Sequence, residues 1–288
     1  MSTARRAIRR LDDDGEHDVR DTLAVEEPLE IVVDGAPYAV TMRLPGDDVH
    51  LVMGFLLTEG VIASREDILS MDYCQGSLGE RRIFVELRPG RMAAQTKPQR
   101  REFLSKSSCG LCGKASLGDV HTDIPRVASI HAINRNTLLG LKSSIEKRQG
   151  LFHQTGATHF AAIFDARHEL LAFAEDIGRH NALDKAIGAV LAADARDLAY
   201  LGIVSSRLSY EMVQKAGALG LEVLAGLSVA TSLAVEMAEN LGITLIGHLR
   251  ATRMNVYTGG ERIISGEKLP NLVLQEELLT TLVDSHAT

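Results

Sequence analysis

The alternation of short apolar runs with amphipathic stretches between residues 159 and 249 constrains this 288-residue chain more than any other feature. Apolar strands are expected over 159–164 and, after a short polar turn, 169–174. Leu183, Ala186, Ile187, Val190 and Leu191 recur at helical spacing; a strand follows over 198–204, then a helix through Leu208, Met212, Ala216 and Leu219. A strand over 222–227, a helix through Ala234, Met237, Ala238 and Leu241, and a strand over 243–249 complete the series. Elements in this order build a layered α/β domain around a largely parallel sheet.

In such sheets ligands bind just past the carboxyl ends of strands. Three of those segments are polar here. Glu175-Asp176-Ile177-Gly178-Arg179-His180-Asn181, followed by Asp184 and Lys185, gathers donors, acceptors and an imidazole at a helix start, where anions are favoured. The plainer reading is a capped helix start with Asn181 as N-cap. Ser205-Ser206-Arg207-Leu208-Ser209 offers hydroxyls and a guanidinium to a phosphate, although serines are also ordinary N-caps. His248-Leu249-Arg250-Ala251-Thr252-Arg253 presents two arginines past the last strand, and their forks match the oxygens of a diphosphate; a solvated basic turn is the rival reading. His159 belongs at the same edge, where a lone histidine more often packs or caps than catalyses.

Before this domain, 29–33 and 38–42 are β-rich runs around Asp34-Gly35, a hairpin signal. Val49, Val52, Met53, Leu56 and Leu57 then trace a helix that stops at Gly60 and should pack on that hairpin. Strands near 71–74 and 82–87 complete a small α+β unit, with Cys74 expected as a small buried side chain. A helix over 133–148 links the two units. Residues 1–21 mix Arg-Arg pairs with Asp12-Asp13-Asp14, show no apolar periodicity and read as a disordered tail. The expected organisation is therefore a tail over 1–21, a small domain over 22–130, the α/β domain over 131–270, and a C-terminal helix or tail over 271–288.

Between the units lies Ser107-Ser108-Cys109-Gly110-Leu111-Cys112-Gly113-Lys114, in a stretch of about 89–115 without apolar order and expected to be a mobile loop. Two cysteines at this spacing suit half a zinc site, a dithiol couple or a pair of sulfur-carrying thiols. No second CxxC supplies the rest of a zinc site, and the pair does not sit between a strand and a helix as in a thioredoxin-like couple. Sulfur carriage fits better: Lys106 and Lys114 would favour a thiolate, and the glycines leave it sterically open. From Arg88 to Lys114 seven basic residues face one acid, a local charge of +6 that suits an anionic client, within a chain of net charge −7 that argues against non-specific nucleic-acid binding. Three cysteines make no disulfide framework, no apolar run is long enough for a membrane span, and the N-terminus lacks an apolar leader, so a cytoplasmic protein is expected.

Taken together, Glu27-Pro28-Leu29, the 54–60 stretch, the CxxC loop, the 176–182 stretch, Ser205-Ser206-Arg207 with the 210–215 stretch, and Asn255-Val256-Tyr257-Thr258 resemble the FdhD/NarQ family of formate dehydrogenase accessory sulfurtransferases. The resemblance implies a cytidine-deaminase-like three-layer α/β domain beside a smaller α+β domain, and a homodimer. It implies that Cys109 and Cys112 take sulfane sulfur from a cysteine desulfurase as a persulfide. The sulfur passes to the molybdenum or tungsten bis(guanine dinucleotide) cofactor before that cofactor enters formate dehydrogenase. His248 to Arg253 falls in the family's cofactor-binding stretch; Arg179, His180, Asn181, Ser205, Ser206 and Arg207 are the further candidates from the residues themselves. GDP is the expected surrogate ligand, and no permanently bound metal, nucleic acid or membrane is expected. A zinc deaminase would need a second cysteine pair in the larger domain, and none follows Cys112. The alternative function is a cofactor-escorting chaperone that transfers no sulfur.

Overall fold

The structure, a computed structural model, describes residues 1–76, 81–89, 124–128 and 130–265. Cys109 and Cys112 with their loop, and the segment 271–288, lie outside the described residues.

The first element corrects the expectation of a tail. β1 (Thr3–Asp12) and β2 (Gly15–Ala24) pair antiparallel in unbroken register from Thr3 opposite Ala24 to Asp12 opposite Gly15. A ribbon with no fully buried residue needs no continuous apolar stripe. Its ladder satisfies the backbone, and opposite charges such as Arg9 and Glu16, 3.4 Å apart, pair along it beside the half-buried Ile8 and Val19, which lie opposite each other.

β3 (Glu27–Val33) and β4 (Ala36–Arg43) form the expected hairpin, with Asp34 and Gly35 at φ of 48° and 76°, the left-handed backbone a two-residue turn of this kind requires. α1 (Asp48–Thr58) follows, then β5 (Ile68–Gln75) and β6 (Arg81–Leu87). These strands form one sheet in the order β4-β3-β6-β5, with β3 and β6 parallel. Cys74, expected to be buried, is exposed, because β5 is an edge strand whose second half runs free of cover. Arg43 is fully buried at the end of β4 and reaches Asp48 in the first turn of α1 (Nε to Oδ1, 2.8 Å) and Glu27 at the start of β3 (3.2 Å). A buried guanidinium is tolerated only when paired in this way, so three elements are tied at one point.

Next come β7 (Ile133–Asn134), α2 (Arg135–Glu146), α3 (Gly150–Thr155), β8 (His159–Phe164), β9 (Leu170–Asp176) and α4 (Arg179–Ala192). The linking helix is thus shorter than expected: Asn134 caps it through its side chain, and Ile133 is spent on a strand. The chain continues with β10 (Leu201–Val204), α5 (Tyr210–Leu219), β11 (Val223–Gly226), α6 (Ser232–Leu241), β12 (Thr244–Gly247), β13 (Asn255–Val256) and β14 (Ile263–Ile264), which pairs with β7. The large sheet has the order β13-β12-β11-β10-β8-β9. Only β10, β11 and β12 are parallel; β8, β9 and β13 pair antiparallel, which corrects the expectation of a largely parallel sheet. The turn between β8 and β9 is too short for the crossover that a parallel pair needs.

α1 does not simply lie on its hairpin. It is sandwiched between the small sheet and α4, and one apolar core runs from Leu29, Ile31 and Ile83 through Leu51 and Leu56 to Leu183 and Ile187. The two units therefore share a core. The helices touch backbone to backbone: a Cβ on Gly54 would lie 1.9 Å from the Asp184 carbonyl oxygen, and one on Gly188 1.8 Å from that of His50. α2 covers the opposite face of the large sheet, where Leu138 and Ile145 meet Phe160, Leu201 and Ile203. No helix among the described residues is long and apolar enough to cross a membrane.

Candidate functional site

Strand directions bring the polar segments to one place. β10, β11 and β12 end at a common edge; β8 runs the other way, so it begins there, and β9 ends there with His159 opposite Asp176. The segments beginning at Asp176, Ser205 and His248 thus share one rim with His159. Backbone hydrogen bonds hold its loops to each other: Leu208 N–H donates to Val229 O (2.9 Å), His248 N–H to Ser228 O (2.8 Å), and Leu249 N–H to Gly226 O (3.1 Å). A site on such loops is held by the sheet and stays in place without a ligand.

The segment from Asp176 to Lys185 splits into two sets. Asp176 is fully buried and accepts from Leu44 N–H (3.1 Å), Gly178 N–H (2.9 Å) and Lys185 Nζ (2.8 Å). Lys185 also donates to Leu44 O (2.8 Å), and Asn181 Nδ2 to Met42 O (2.8 Å). Asn181 is not the N-cap, which is Gly178; its amide instead ties the exit of β4 to α4. Asp184 accepts from Thr58 Oγ1 (2.9 Å) and from Lys215 Nζ at both oxygens (3.0 and 2.8 Å). Burial pushes the Asp184 carboxyl up, with Lys215 opposing; burial likewise works against the charge of Lys215, but Asp184, Glu59 and Glu211 together outweigh it and the ammonium is held above its ordinary range. This set faces inward and joins the two units.

Arg179 and His180, in the same helical turn, belong to the rim. His180 Nε2 lies 2.8 Å from Glu211 Oε2 on α5. His159 Nδ1 is 3.1 Å from Ser205 Oγ, which also accepts from Phe160 N–H (3.0 Å). Burial, and then the positive charge of Arg179 and His180, lowers the His159 pKa, so this ring is neutral at pH 7. Ser206 is buried and donates to the Arg207 carbonyl, while Arg207 is exposed. Ser209 stands at the N-cap of α5 without capping it through its side chain.

On the last loop, Arg250, Ala251, Thr252 and Arg253 are exposed, and neither arginine makes an ion pair among the described residues. Arg250 N–H donates to Arg253 O (2.9 Å), closing the turn that carries both guanidinium groups. Leu249 is completely buried, so its side chain belongs to the core beneath the rim. His248 adopts a left-handed backbone (φ 49°), and its Nδ1 is buried without a hydrogen bond among the described residues. The rim can therefore offer guanidinium, imidazole and hydroxyl groups to an anionic ligand. Glu211 is the rim residue that sequence reasoning misses, since an acid in a helix's first turn is commonplace and nothing local marks its partner.

A model of the FdhD/NarQ family matches residues 24–264. Among curated relatives, the "Sulfur carrier protein FdhD" of Mycobacterium tuberculosis is 44% identical over 278 residues, covering 91% of this chain and 99% of that protein. The protein of the same name from Nocardia farcinica is 42% identical over 268 residues, covering 91% and 95%. The crystal structure of a candidate formate dehydrogenase accessory protein from Desulfotalea psychrophila superposes with a TM-score of 0.73 at 22% identity, covering 92% of this chain and all of that one, which shows a shared mixed α/β fold.

Proposed function

The chain belongs to the FdhD/NarQ family, and from that membership we propose that it is a sulfur carrier in the maturation of formate dehydrogenase. The observation that carries this reading is the gathering of the polar loops after β9, β10 and β12 at one sheet edge, in a chain whose relatives are named sulfur carriers. Sulfur enters at the CxxC. The thiolate of Cys109, with Cys112 as its partner, attacks the outer sulfur of a cysteine desulfurase persulfide. The donor's S–S bond breaks, the donor cysteine leaves as a thiolate, and the sulfane sulfur stays on this chain as a new persulfide.

The client is the molybdenum or tungsten bis(guanine dinucleotide) cofactor, a substrate of the transfer. Arg250, Arg253, Arg207 and Arg179, with His180, Ser205 and Ser206, supply the groups that diphosphates attract, and the +6 stretch before the larger domain supplies long-range attraction. We read the order β9-β8-β10-β11-β12 as a cytidine-deaminase-like sheet whose zinc chemistry has no ligands here, since no cysteine follows Cys112. The protein works as a homodimer in the cytoplasm.

Mass spectrometry after incubation with a cysteine desulfurase and cysteine tests the carrier role. The wild type gains sulfur that reductant removes, and the Cys109→Ala/Cys112→Ala variant does not. Equal labelling of both would leave a cofactor-escorting protein as the better description.

A further inference from the structure

A carboxylate buried beside a ligand rim is costly unless its charge has a use. Glu211 is 7% exposed in the first turn of α5, and its Oε2 sits 2.8 Å from Nε2 of His180 in the first turn of α4. That contact is an ion pair without hydrogen-bond geometry: Nε2 is buried with no hydrogen-bond partner among the described residues, and nothing described hydrogen-bonds Nδ1 either. Arg179 precedes His180, and both are close enough to His159 for their charge to depress its protonation. A carboxylate set against one nitrogen of an imidazole restricts the ring's orientation, as it does for histidines that ligate metals or act in catalysis.

We propose that Glu211 is a positioning residue of the nucleotide site: by holding Nε2 of His180 it turns Nδ1 toward a phosphate oxygen of the bound client. The inference rests on reading the rim as a nucleotide site. With Glu211 on one side and a phosphate on the other, the two anions share the ring's positive charge. The first turn of a helix is a poor place for a cationic ring by itself, and Glu211 offsets that cost from a position where its own helix favours an acid.

Calorimetric titration of the full chain with GDP tests the assignment. His180→Ala and Glu211→Ala are each expected to weaken binding about ten-fold or more, the worth of one charge-assisted hydrogen bond. Glu211→Gln, which keeps an acceptor for Nε2, recovers most of the affinity, and Glu211→Ala adds no further loss in a His180→Ala background. A purely structural pair would lower the melting temperature in every variant and leave GDP affinity unchanged, which overturns the proposal. If Glu211→Ala does not fold, His180→Asn decides alone, and wild-type affinity in that variant is equally fatal. Should the wild type bind no GDP, the nucleotide site and this inference fall together. Binding that is lost in Arg250→Ala but kept in His180→Asn and Glu211→Ala removes the inference alone.

Discussion

The crossing of α1 and α4 and the rim at the end of the large sheet are built from the same residue types and use them in opposite ways. At the crossing, Asp176, Asn181, Asp184, Lys185 and Lys215 are each paired within a few ångströms, in a layer so thin that two glycines meet backbone to backbone. At the rim, Arg250 and Arg253 are exposed on a turn closed only by a backbone hydrogen bond. Neighbours in sequence are divided between the two: Arg179 and His180 face the rim, while Asn181 and Asp184, within the next turn, face the crossing. Charge alone does not mark a ligand site.

The sharpest way to break this contrast is to remove one member of a buried pair. Lys215→Met leaves Asp184 uncompensated and is expected to cost about 3–5 kcal/mol in denaturant unfolding, whereas replacing both partners with apolar residues should recover much of it. Because the Lys215 pKa is raised in the fold, its contribution is full at neutral pH and is lost only as pH climbs past the ordinary lysine value of 10.5. Next in size is Gly54→Ala. The added methyl collides with backbone, which has no rotamer to escape through, so a loss of about 3 kcal/mol or more is expected by thermal or chemical denaturation. Near-wild-type stability in that variant would mean that the helices do not touch as described. Smallest in stability is the rim: Arg250→Ala and Arg253→Ala should each change unfolding free energy by less than about 0.5 kcal/mol while weakening GDP binding. If either destabilises the protein like Lys215→Met, the rim is structural after all.

Much of the larger unit was legible in its sequence, because strand and helix periods differ and short continuous apolar runs, buried on both faces, mark β10, β11 and β12. The Asp34-Gly35 turn was legible for a conformational reason, since few dipeptides tolerate that backbone. The ribbon of β1 and β2 was not, because a ladder that buries no residue fully leaves no strong apolar pattern to find. Gly54 and Gly188 read singly as weak points in helices; only the partner helix reveals them as the point of closest approach. The candidate loops were found because strand order sends them to one edge, but the inward role of Asn181 and the pairing of Glu211 with His180 depend on contacts between distant segments, which no local pattern encodes.

The seam between α1 and α4 also sets a clock. Thr58 and Asp184, which meet in it, are 126 positions apart. At elongation rates of about 5–20 residues per second, the face of α1 that carries His50, Gly54 and Thr58 waits roughly 6–25 s on the ribosome before the helix that covers it is made. The first half of the chain is thus committed early but completed late, and a slow codon run between the two helices would prolong the interval in which that face lies open to the wrong neighbour.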